Sequence, residues 1–372
     1  MTTEEKYKSD LDTPCLVLDM DVLEQNLQKM QAAVKSAGKD LRPHAKAHKC
    51  SALARKQIET GAIGPCVAKV SEAEVLVKAG LDGILITGPV VTSHKVERIV
   101  DLITTDPSLM VVVDHPGNIE LLNAVLRARG MSMGVLIDVD VGLHRTGVRP
   151  SDALKLAAHI VNNPNLHLRG IQSYAGHVQH IRSYATRKQA SRRCMQEAAR
   201  VFNELRDTVP TCTLFSASGT GTFDIDLTIP EITELQVGSY VCMDTAYLAI
   251  GSADNDTRFV PFDPALRLLT TVISANHKGL VTVDAGLKTL YKDGGKPQVI
   301  VPEKSTLAYD WFGDEHGMIT SADNSALPPL GAVLELVTSH CDPTVNLFDR
   351  FYLTRGETVV GTWPIDLRGC SQ

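Results

Sequence analysis

Lysine and histidine are concentrated in one short segment near the N-terminus, LRPHAKAHKC at 41–50. If residues 41–48 form a strand, the alternation of side chains places His44, Lys46 and His48 on one face. A lysine amine that faces the interior of a fold is a candidate nucleophile for a Schiff base with a carbonyl compound. An exposed basic cluster that interacts only with solvent is the alternative interpretation.

Two glycine-rich segments are candidate anion sites, SASGTGTFD (216–224) and VGSYVCMD (237–244). Main-chain N–H groups that converge on one point form a nest for phosphate. A tight turn without a ligand is the alternative for either segment alone. A phosphate nest and a nucleophilic lysine together are what pyridoxal 5'-phosphate (PLP) requires. The nest would use Ser218, Gly219, Thr220 and Gly221 from the first segment and Gly238, Ser239 and Tyr240 from the second.

A possible metal site lies in SHCDPTVNLFD (339–349). On an extended segment His340 and Asp342 share a face while Cys341 points away. One nitrogen and one oxygen ligand without sulfur suit Mn²⁺, Mg²⁺ or Zn²⁺, and two protein ligands leave positions for water or substrate. A His–Asp pair that only ties down a loop is the alternative.

Further polar residues follow the strands that the sequence predicts, but each is equally typical of an ordinary loop. QSYAGHVQH (172–180) follows one strand and DVDVGLHRTGV (138–148) ends another. WFGDEHG (311–317) lies much later in the chain. The candidates are Tyr174, His177 and His180, then His144 and Arg145, then Glu315 and His316.

Eight short apolar runs, separated by helical patterns, predict the elements that position these residues. Strand and helix alternating eight times predict a (β/α)8 TIM-like barrel, whose functional groups gather at the carboxyl ends of the strands. One helix is expected to begin with a capping box of Ser71 and Glu74 and to end at Gly80. The predicted strands are 41–48, 64–70, 83–88, 109–115, 134–140, 168–174, 212–220 and 234–240.

Beyond about residue 260 the pattern changes to short β-type runs separated by Gly, Pro, Asp and Asn. This indicates a second, C-terminal and mostly β domain. We predict a barrel domain at 20–260 and a β domain at 261–372, which also takes the N-terminal strand within 1–19.

The composition excludes several classes of protein. Of 372 residues, 44% are hydrophobic and 22% are charged, with a net charge of -6. These values are typical of a globular protein and favour neither a nucleic-acid partner nor a membrane surface. The apolar runs are too short to span a bilayer and the N-terminus has no signal-peptide pattern, so we expect a cytoplasmic location. The eight cysteines include no C-x-x-C pair and are expected to be buried, reduced thiols.

Six motifs now carry a resemblance to a known family over almost the whole chain. TPCLVLD, LRPHAKAHK, VDVGLHRTGV, QSYAGHVQH, ELQVGSY and SHCDPTVNLFD occur in this order. Together they resemble the D-threonine aldolase branch of the alanine racemase-like (fold type III) PLP enzymes. The fold of that family agrees with the barrel and β domain predicted above.

The resemblance implies an activity and a role for several residues. It implies that Lys46 binds PLP covalently and that His340 and Asp342 bind a divalent metal beside the cofactor. The metal is expected to be Mn²⁺, with Mg²⁺, Co²⁺ and Zn²⁺ as alternatives. His180 is implied as the base for the substrate β-hydroxyl, and Arg145 and Tyr174 as neighbours of the cofactor. The implied enzyme is a homodimer that cleaves D-β-hydroxy-α-amino acids to glycine and an aldehyde.

Three alternatives remain at this point. D-Serine and D-threo-3-hydroxyaspartate dehydratases resemble this chain but bind zinc through a His-x-Cys pair, and a shift of register would bring Cys341 to the metal. A racemase would need a second acid or base, and no clear racemase motif surrounds Tyr291 or Tyr309. A non-catalytic PLP-binding protein would usually lack the β domain.

Overall fold

The computed structural model describes residues 6–300, 306–321 and 326–372. These residues form two compact units, which we call the barrel unit and the β unit. The domain limits predicted from the sequence stay a prediction. The barrel unit comprises Met30–Lys46, Leu53–Gly238 and Gly369–Gln372, and the β unit comprises the described residues up to Lys29, Ala47–Ala52 and Ser239–Arg368.

The described ranges contain eighteen strands and ten α-helices, and several short 3-10 helices. In chain order the strands are β1 (Lys6–Tyr7), β2 (Cys15–Asp19), β3 (Asp40–Leu41), β4 (Cys66–Val67), β5 (Leu85–Ile86), β6 (Met110–Val113), β7 (Met133–Asp138), β8 (Leu166–Ser173), β9 (Leu214–Ala217), β10 (Glu234–Leu235), β11 (Leu266–Ser274), β12 (Leu280–Val283), β13 (Gln298–Ile300), β14 (Leu307–Trp311), β15 (Gly317–Ser321), β16 (Val333–Val337), β17 (Arg350–Arg355) and β18 (Thr358–Pro364). The helices are α1 (Met20–Ser36), α2 (Ser51–Thr60), α3 (Val70–Lys78), α4 (Ser93–Leu102), α5 (Pro116–Ala128), α6 (Ala153–Val161), α7 (Tyr184–Thr208), α8 (Phe223–Asp226), α9 (Thr245–Leu248) and α10 (Cys341–Val345).

The barrel unit contains an eight-stranded parallel sheet in the order β3-β10-β9-β8-β7-β6-β5-β4. A parallel bridge between His44 and Cys66 joins the two ends of this order, so the sheet closes into a barrel. The side chains of Val111, Val112 and Val113 are all fully buried, as expected of a strand that is covered on both faces. The predicted (β/α)8 barrel is confirmed.

All eight predicted strands are present, but the first is much shorter than 41–48. Regular strand structure ends at Leu41. Beyond it the chain forms the isolated bridge at His44 and a few further main-chain hydrogen bonds, and residues Ala45–Ala47 form a 3-10 helix. Pro43 contributes to this early end because a proline has no N–H to donate to a ladder. The predicted alternation of side chains from residue 44 to residue 48 is therefore wrong.

The start of α3 also differs from the prediction. The helix begins at Val70, and Ser71 lies within its first turn. Glu72 closes the N-terminus instead, since its Oε2 accepts from the amides of Ala68 (2.8 Å) and Lys69 (3.1 Å). The predicted C-terminal glycine is confirmed, because Gly80 follows the helix with a φ of +74°.

The β unit contains a ten-stranded sheet in the order β1-β18-β17-β2-β11-β12-β15-β14-β13-β16. Strand β11 also pairs with β16, which closes six of these strands into a ring. N-terminal strand β2 lies antiparallel to β11 and parallel to β17. The hairpin of β14 and β15 was not predicted. Glu315 and His316 lie in its turn, where Glu315 pairs with Lys288.

The cysteines are free and mostly buried, as the sequence predicts. All eight cysteines are free; seven are buried, and Cys370 is partly exposed. Within the described part of the chain, no helix is both long and apolar enough to cross a membrane.

Candidate active site

Lys46 lies at the carboxyl end of the first barrel strand. The amides of Arg42 and His44 donate to the carbonyl oxygens of Leu235 (2.9 Å) and Val237 (3.0 Å), so the chain stays paired beyond β3. The 3-10 helix then presents the half-buried Lys46. This is the end of a barrel at which catalytic groups gather.

A buried ion pair holds this strand in place. Arg42 Nε and Nη2 donate to Glu234 Oε1 (2.9 Å) and Oε2 (3.0 Å), which is a bidentate arrangement. Both side chains are buried. Because Glu234 belongs to β10, the pair fixes the two strands that lead into the lysine and into the second glycine-rich segment.

Two cations lie near the ring of Tyr174. Lys46 Nζ is 5.9 Å and Arg145 Cζ is 5.5 Å from the ring centroid. Both distances are within the range of a cation–π interaction. Gly176 makes room for the ring, since a Cβ at that position would lie 2.7 Å from Tyr174 Cε1. The structure thus brings together three of the predicted site residues.

One buried carboxylate positions the segment that carries Arg145. Asp138 Oδ2 accepts from Thr146 Oγ1 at 2.7 Å, and its Oδ1 accepts from Gln172 Nε2 at 3.1 Å. Thr146 adjoins Arg145, and Gln172 lies two residues before Tyr174. Burial raises the pKa of the Asp138 carboxyl, although both hydrogen bonds oppose the shift.

The predicted phosphate segment packs against Gln179. A Cβ at Gly219 would lie 2.6 Å from Gln179 Oε1, and a Cβ at Gly221 would lie 2.2 Å from the Gln179 carbonyl oxygen. The Gly221 amide donates to Gln179 Oε1 at 3.0 Å. Ser218, Gly219 and Thr220 are all buried. Glycine is therefore required in this turn by the close approach of another loop.

His180, the predicted base, follows Gln179 and is exposed. The segment that follows His180 is held by Arg187, whose side chain is fully buried. Arg187 Nε donates to the Gly221 carbonyl oxygen at 2.7 Å, and its Nη1 donates to that of Ile181 at 2.6 Å. One guanidinium thus connects the loop of His180 to the glycine-rich turn.

Asp226 lies buried behind the same turn. It accepts hydrogen bonds from the hydroxyls of Ser191 and Thr222, each at 2.6 Å, and from Ser218. Burial raises the pKa of Asp226 to about 6, although the three hydroxyls oppose the shift. The titratable carboxyl group of Asp226 therefore contacts Ser218 in the predicted phosphate segment.

The predicted metal ligands lie in the β unit. His340 has an extended backbone and precedes α10, while Asp342 lies in the first turn of that helix. The prediction of one extended segment is wrong beyond His340, because the chain turns into the helix at Cys341. His340 and Asp342 are both half-buried. Across the described ranges, no group of three or more His, Cys, Asp or Glu side chains is placed to hold a metal ion.

Polar neighbours hold both of these side chains. His340 Nδ1 lies 3.2 Å from Asp293 Oδ2. Asp342 Oδ1 accepts from Ser239 Oγ at 3.3 Å and from Cys341 Sγ at 3.3 Å. Asp342 therefore contacts Ser239, a residue predicted to bind the cofactor.

Asp244, which the sequence analysis did not single out, fixes the start of α10. Its Oδ2 accepts from the Cys341 amide at 3.0 Å and its Oδ1 accepts from the Tyr247 amide at 3.0 Å. Burial raises the pKa of the Asp244 carboxyl, and Asp342 adds to this while His340 opposes it. The Cys341 thiol is fully buried, and burial raises its pKa well above the ordinary value.

The second glycine-rich segment is mostly buried. Gly238 is half-buried, Ser239 is buried, and Tyr240 is fully buried with its ring edge-on to Phe262 at 5.6 Å. The Tyr240 ring thus packs in the core. Tyr309 is also buried and donates its hydroxyl to the Ala285 carbonyl oxygen at 2.8 Å. The Tyr309 hydroxyl is therefore already engaged in a hydrogen bond within the β unit.

Comparisons with known proteins agree with this architecture. Residues 18–246 match the family model of the alanine racemase N-terminal domain, and 265–354 match a serine dehydratase domain. A D-threonine aldolase from Arthrobacter sp is 38% identical over 97% of this chain and 94% of that protein. A 3-hydroxy-D-aspartate aldolase from Paracoccus denitrificans (strain Pd 1222) is 33% identical over 97% of this chain and 93% of that protein.

A solved structure is similarly close. The crystal structure of a D-threonine aldolase from Filomicrobium marinum matches with a TM-score of 0.92 at 38% identity, and the match covers 100% of both chains. The barrel and the domain match show that the chain belongs to the alanine racemase-like, fold type III family. Within that family it belongs to the D-threonine aldolase branch, and it is an enzyme of the lyase class. The resemblance found in the sequence is confirmed.

Proposed function

We propose that the protein is a PLP- and divalent-metal-dependent aldolase. It cleaves D-threonine and other D-β-hydroxy-α-amino acids reversibly to glycine and an aldehyde. The observation that carries the proposal is the placement of Lys46, whose amine lies 5.9 Å from the Tyr174 ring at the carboxyl end of a barrel strand. The aldolases named above support the substrate class.

The groups in the barrel unit fit PLP. Lys46 offers a primary amine for the aldehyde, and Tyr174 and Arg145 lie together beside it. The turn at Ser218, Gly219 and Thr220 follows the seventh strand, where barrels commonly bind phosphate. We propose that the main-chain amides of this turn, together with those of Gly238, Ser239 and Tyr240, bind the phosphate.

The groups in the β unit fit a hard divalent cation, for which we propose Mn²⁺. His340 supplies a nitrogen and Asp342 an oxygen, and both are half-buried and so accessible to an ion. Cys341 is fully buried, which favours Asp342 over the thiol as the second ligand. Two protein ligands leave positions for water or substrate, as a catalytic site requires.

The residues of the chain then have distinct roles. PLP, when bound, supplies an electron sink for the pair of electrons released at Cα. Lys46 would hold the cofactor through its side-chain amine. We propose that a ring nitrogen of His180 accepts the β-hydroxyl proton while the Cα–Cβ bond breaks. The aldehyde leaves, and Cα receives a proton to give glycine.

We also propose that the enzyme is a cytoplasmic homodimer, in line with the family that the sequence resembles. The chain mass is 40.3 kDa. Sedimentation equilibrium should give twice this value, and a mass equal to that of one chain would contradict the dimer.

Replacing Lys46 tests the cofactor assignment directly. Lys46→Ala should lose the visible absorbance of lysine-bound PLP and all turnover of D-threonine, because the amine that binds the cofactor aldehyde is removed. Lys49→Ala is the matched control, since it removes the same charge from the same basic segment. It should keep the absorbance band. An unchanged band in Lys46→Ala would show that the assignment is wrong.

A further inference from the structure

We propose that Asp293 is a positioning residue that orients His340 for metal binding. The inference rests on the proposed function, because it concerns the same metal site. Asp293 was not among the residues that the sequence suggested, and its side chain is too distant along the chain to be associated with His340 by any motif.

The geometry defines which nitrogen is free for the metal. Asp293 Oδ2 lies 3.2 Å from His340 Nδ1, a distance at which the ring can donate Nδ1–H to the carboxylate. A neutral imidazole that carries its proton on Nδ1 leaves the lone pair on Nε2. Metal-binding histidines almost always have such a partner on the other ring nitrogen, which fixes the tautomer and raises the basicity of the ligand.

The loop that carries Asp293 is anchored against the segment of His340. Ser339 Oγ donates to the Tyr291 carbonyl oxygen at 2.7 Å, and Thr245 Oγ1 donates to that of Lys296 at 2.9 Å. At Gly294, φ is +78°, and a Cβ would lie 2.9 Å from Ala246 Cβ and 3.6 Å from His340 Cβ. The loop is therefore anchored on both sides of Asp293, and it approaches His340 closely at Gly294.

Because the Asp293 and His340 side chains are partly exposed, an effect of Asp293 on metal affinity can be measured apart from any effect on folding stability. The Asp293 side chain is 59% exposed and that of His340 is 30% exposed. A polar contact between side chains exposed to this degree contributes little to folding stability. Loss of the carboxylate should therefore lower the affinity for metal while leaving the thermal unfolding of the metal-free protein unchanged.

The test compares metal affinity in matched variants. The full chain, loaded with PLP and stripped of metal with a chelator, is titrated with Mn²⁺, and free Mn²⁺ is measured by electron paramagnetic resonance. Asp293→Ala should raise the Mn²⁺ dissociation constant by about 10- to 100-fold. Asp314→Ala removes the same charge from an exposed position of the β unit and should change it by less than about fivefold. Asp293→Glu, which keeps the carboxylate, should recover most of the affinity.

The same titration separates this inference from the proposed function. A wild-type protein that binds no Mn²⁺, or a His340→Ala variant that binds it as tightly as wild type, would overturn the proposed metal site. If His340→Ala loses binding while Asp293→Ala keeps the wild-type dissociation constant, only the role of Asp293 is wrong. An equal loss in Asp293→Ala and Asp314→Ala would also overturn that role, because it would show a general charge effect.

Discussion

At the scale of single residues, Asp226 makes the stability of the barrel unit depend on pH. The folded state holds the proton of this carboxyl more tightly than the unfolded chain, because the pKa rises from 3.8 to about 6. The contribution to stability is therefore greatest when the group is protonated, and it falls as pH rises from about 4 to 6. The whole change amounts to roughly 3 kcal/mol, of which roughly 1 kcal/mol falls between about pH 5 and pH 8.

Urea unfolding of Asp226→Asn and wild type at these two pH values measures this effect. The variant cannot titrate at this position, so its free energy of unfolding relative to wild type should rise by roughly 1 kcal/mol from the lower to the higher pH. The comparison cancels all other titrating groups. A difference that is the same at both pH values would mean that Asp226 has an ordinary pKa.

The residues that hold the site together were the least predictable from the sequence. Lys46, His340 and Asp342 are recognisable because their types indicate chemistry and their motifs resemble a family. Gln179 and Arg187 act through contacts with loops elsewhere in the chain, such as the Gly221 turn. The glycines of that turn indicated a close approach, but a sequence pattern does not identify the side chain that approaches.

At the scale of elements, we expect the loop at 139–148 to set the position of the Arg145 side chain. Its ends are paired, since the Asp140 amide donates to Val148 and the Val148 amide donates to Asp138, each at 2.9 Å. Thr146 ties the loop to the buried Asp138 carboxylate. Thr146→Val keeps the shape but removes this bond. It should lower kcat/KM for D-threonine by about 10- to 100-fold, because Arg145 is no longer held over Tyr174.

The conservative variant Thr146→Ser provides the control for this prediction. Serine retains the hydroxyl that donates to Asp138 and should restore most of the activity. Both variants should remain folded, with Thr146→Val less stable than wild type by about 1 kcal/mol, since one hydrogen bond is lost. Equal kinetics for the valine variant and wild type would show that the loop does not depend on this bond.

The number and type of the barrel elements could be predicted, whereas their ends could not. Continuous apolar runs identify strands that are buried on both faces, and all eight were found. The start of α3 and the extended form of the segment from His340 to Asp342 were predicted wrongly, because local contacts decide both. Glu72, and not Glu74, accepts from the amide at the start of α3, and Asp244 accepts from the Cys341 amide where α10 begins. The β14 and β15 hairpin was missed although Leu307, Tyr309 and Trp311 alternate with Ala308 and Asp310 along β14.

At the scale of the whole molecule, the residues proposed to bind PLP through an amine and those proposed to bind the metal belong to different units. The barrel unit contains Lys46, and the β unit contains His340 and Asp342. The order of six motifs along the chain identified the family, because a whole-length order is far more specific than any one of them. The substrate range depends on side chains that contact the aldehyde portion, and no motif defines these.

The central claim is that the enzyme breaks the Cα–Cβ bond of D-threonine with help from a metal. The most direct measurement incubates the purified protein with PLP, Mn²⁺ and D-threonine, and identifies the products with and without EDTA. We expect glycine and acetaldehyde, lost on chelation and absent when L-threonine is supplied. Ammonia and 2-oxobutanoate would instead indicate dehydration and contradict the aldolase assignment, and turnover unaffected by EDTA would contradict the role of the metal.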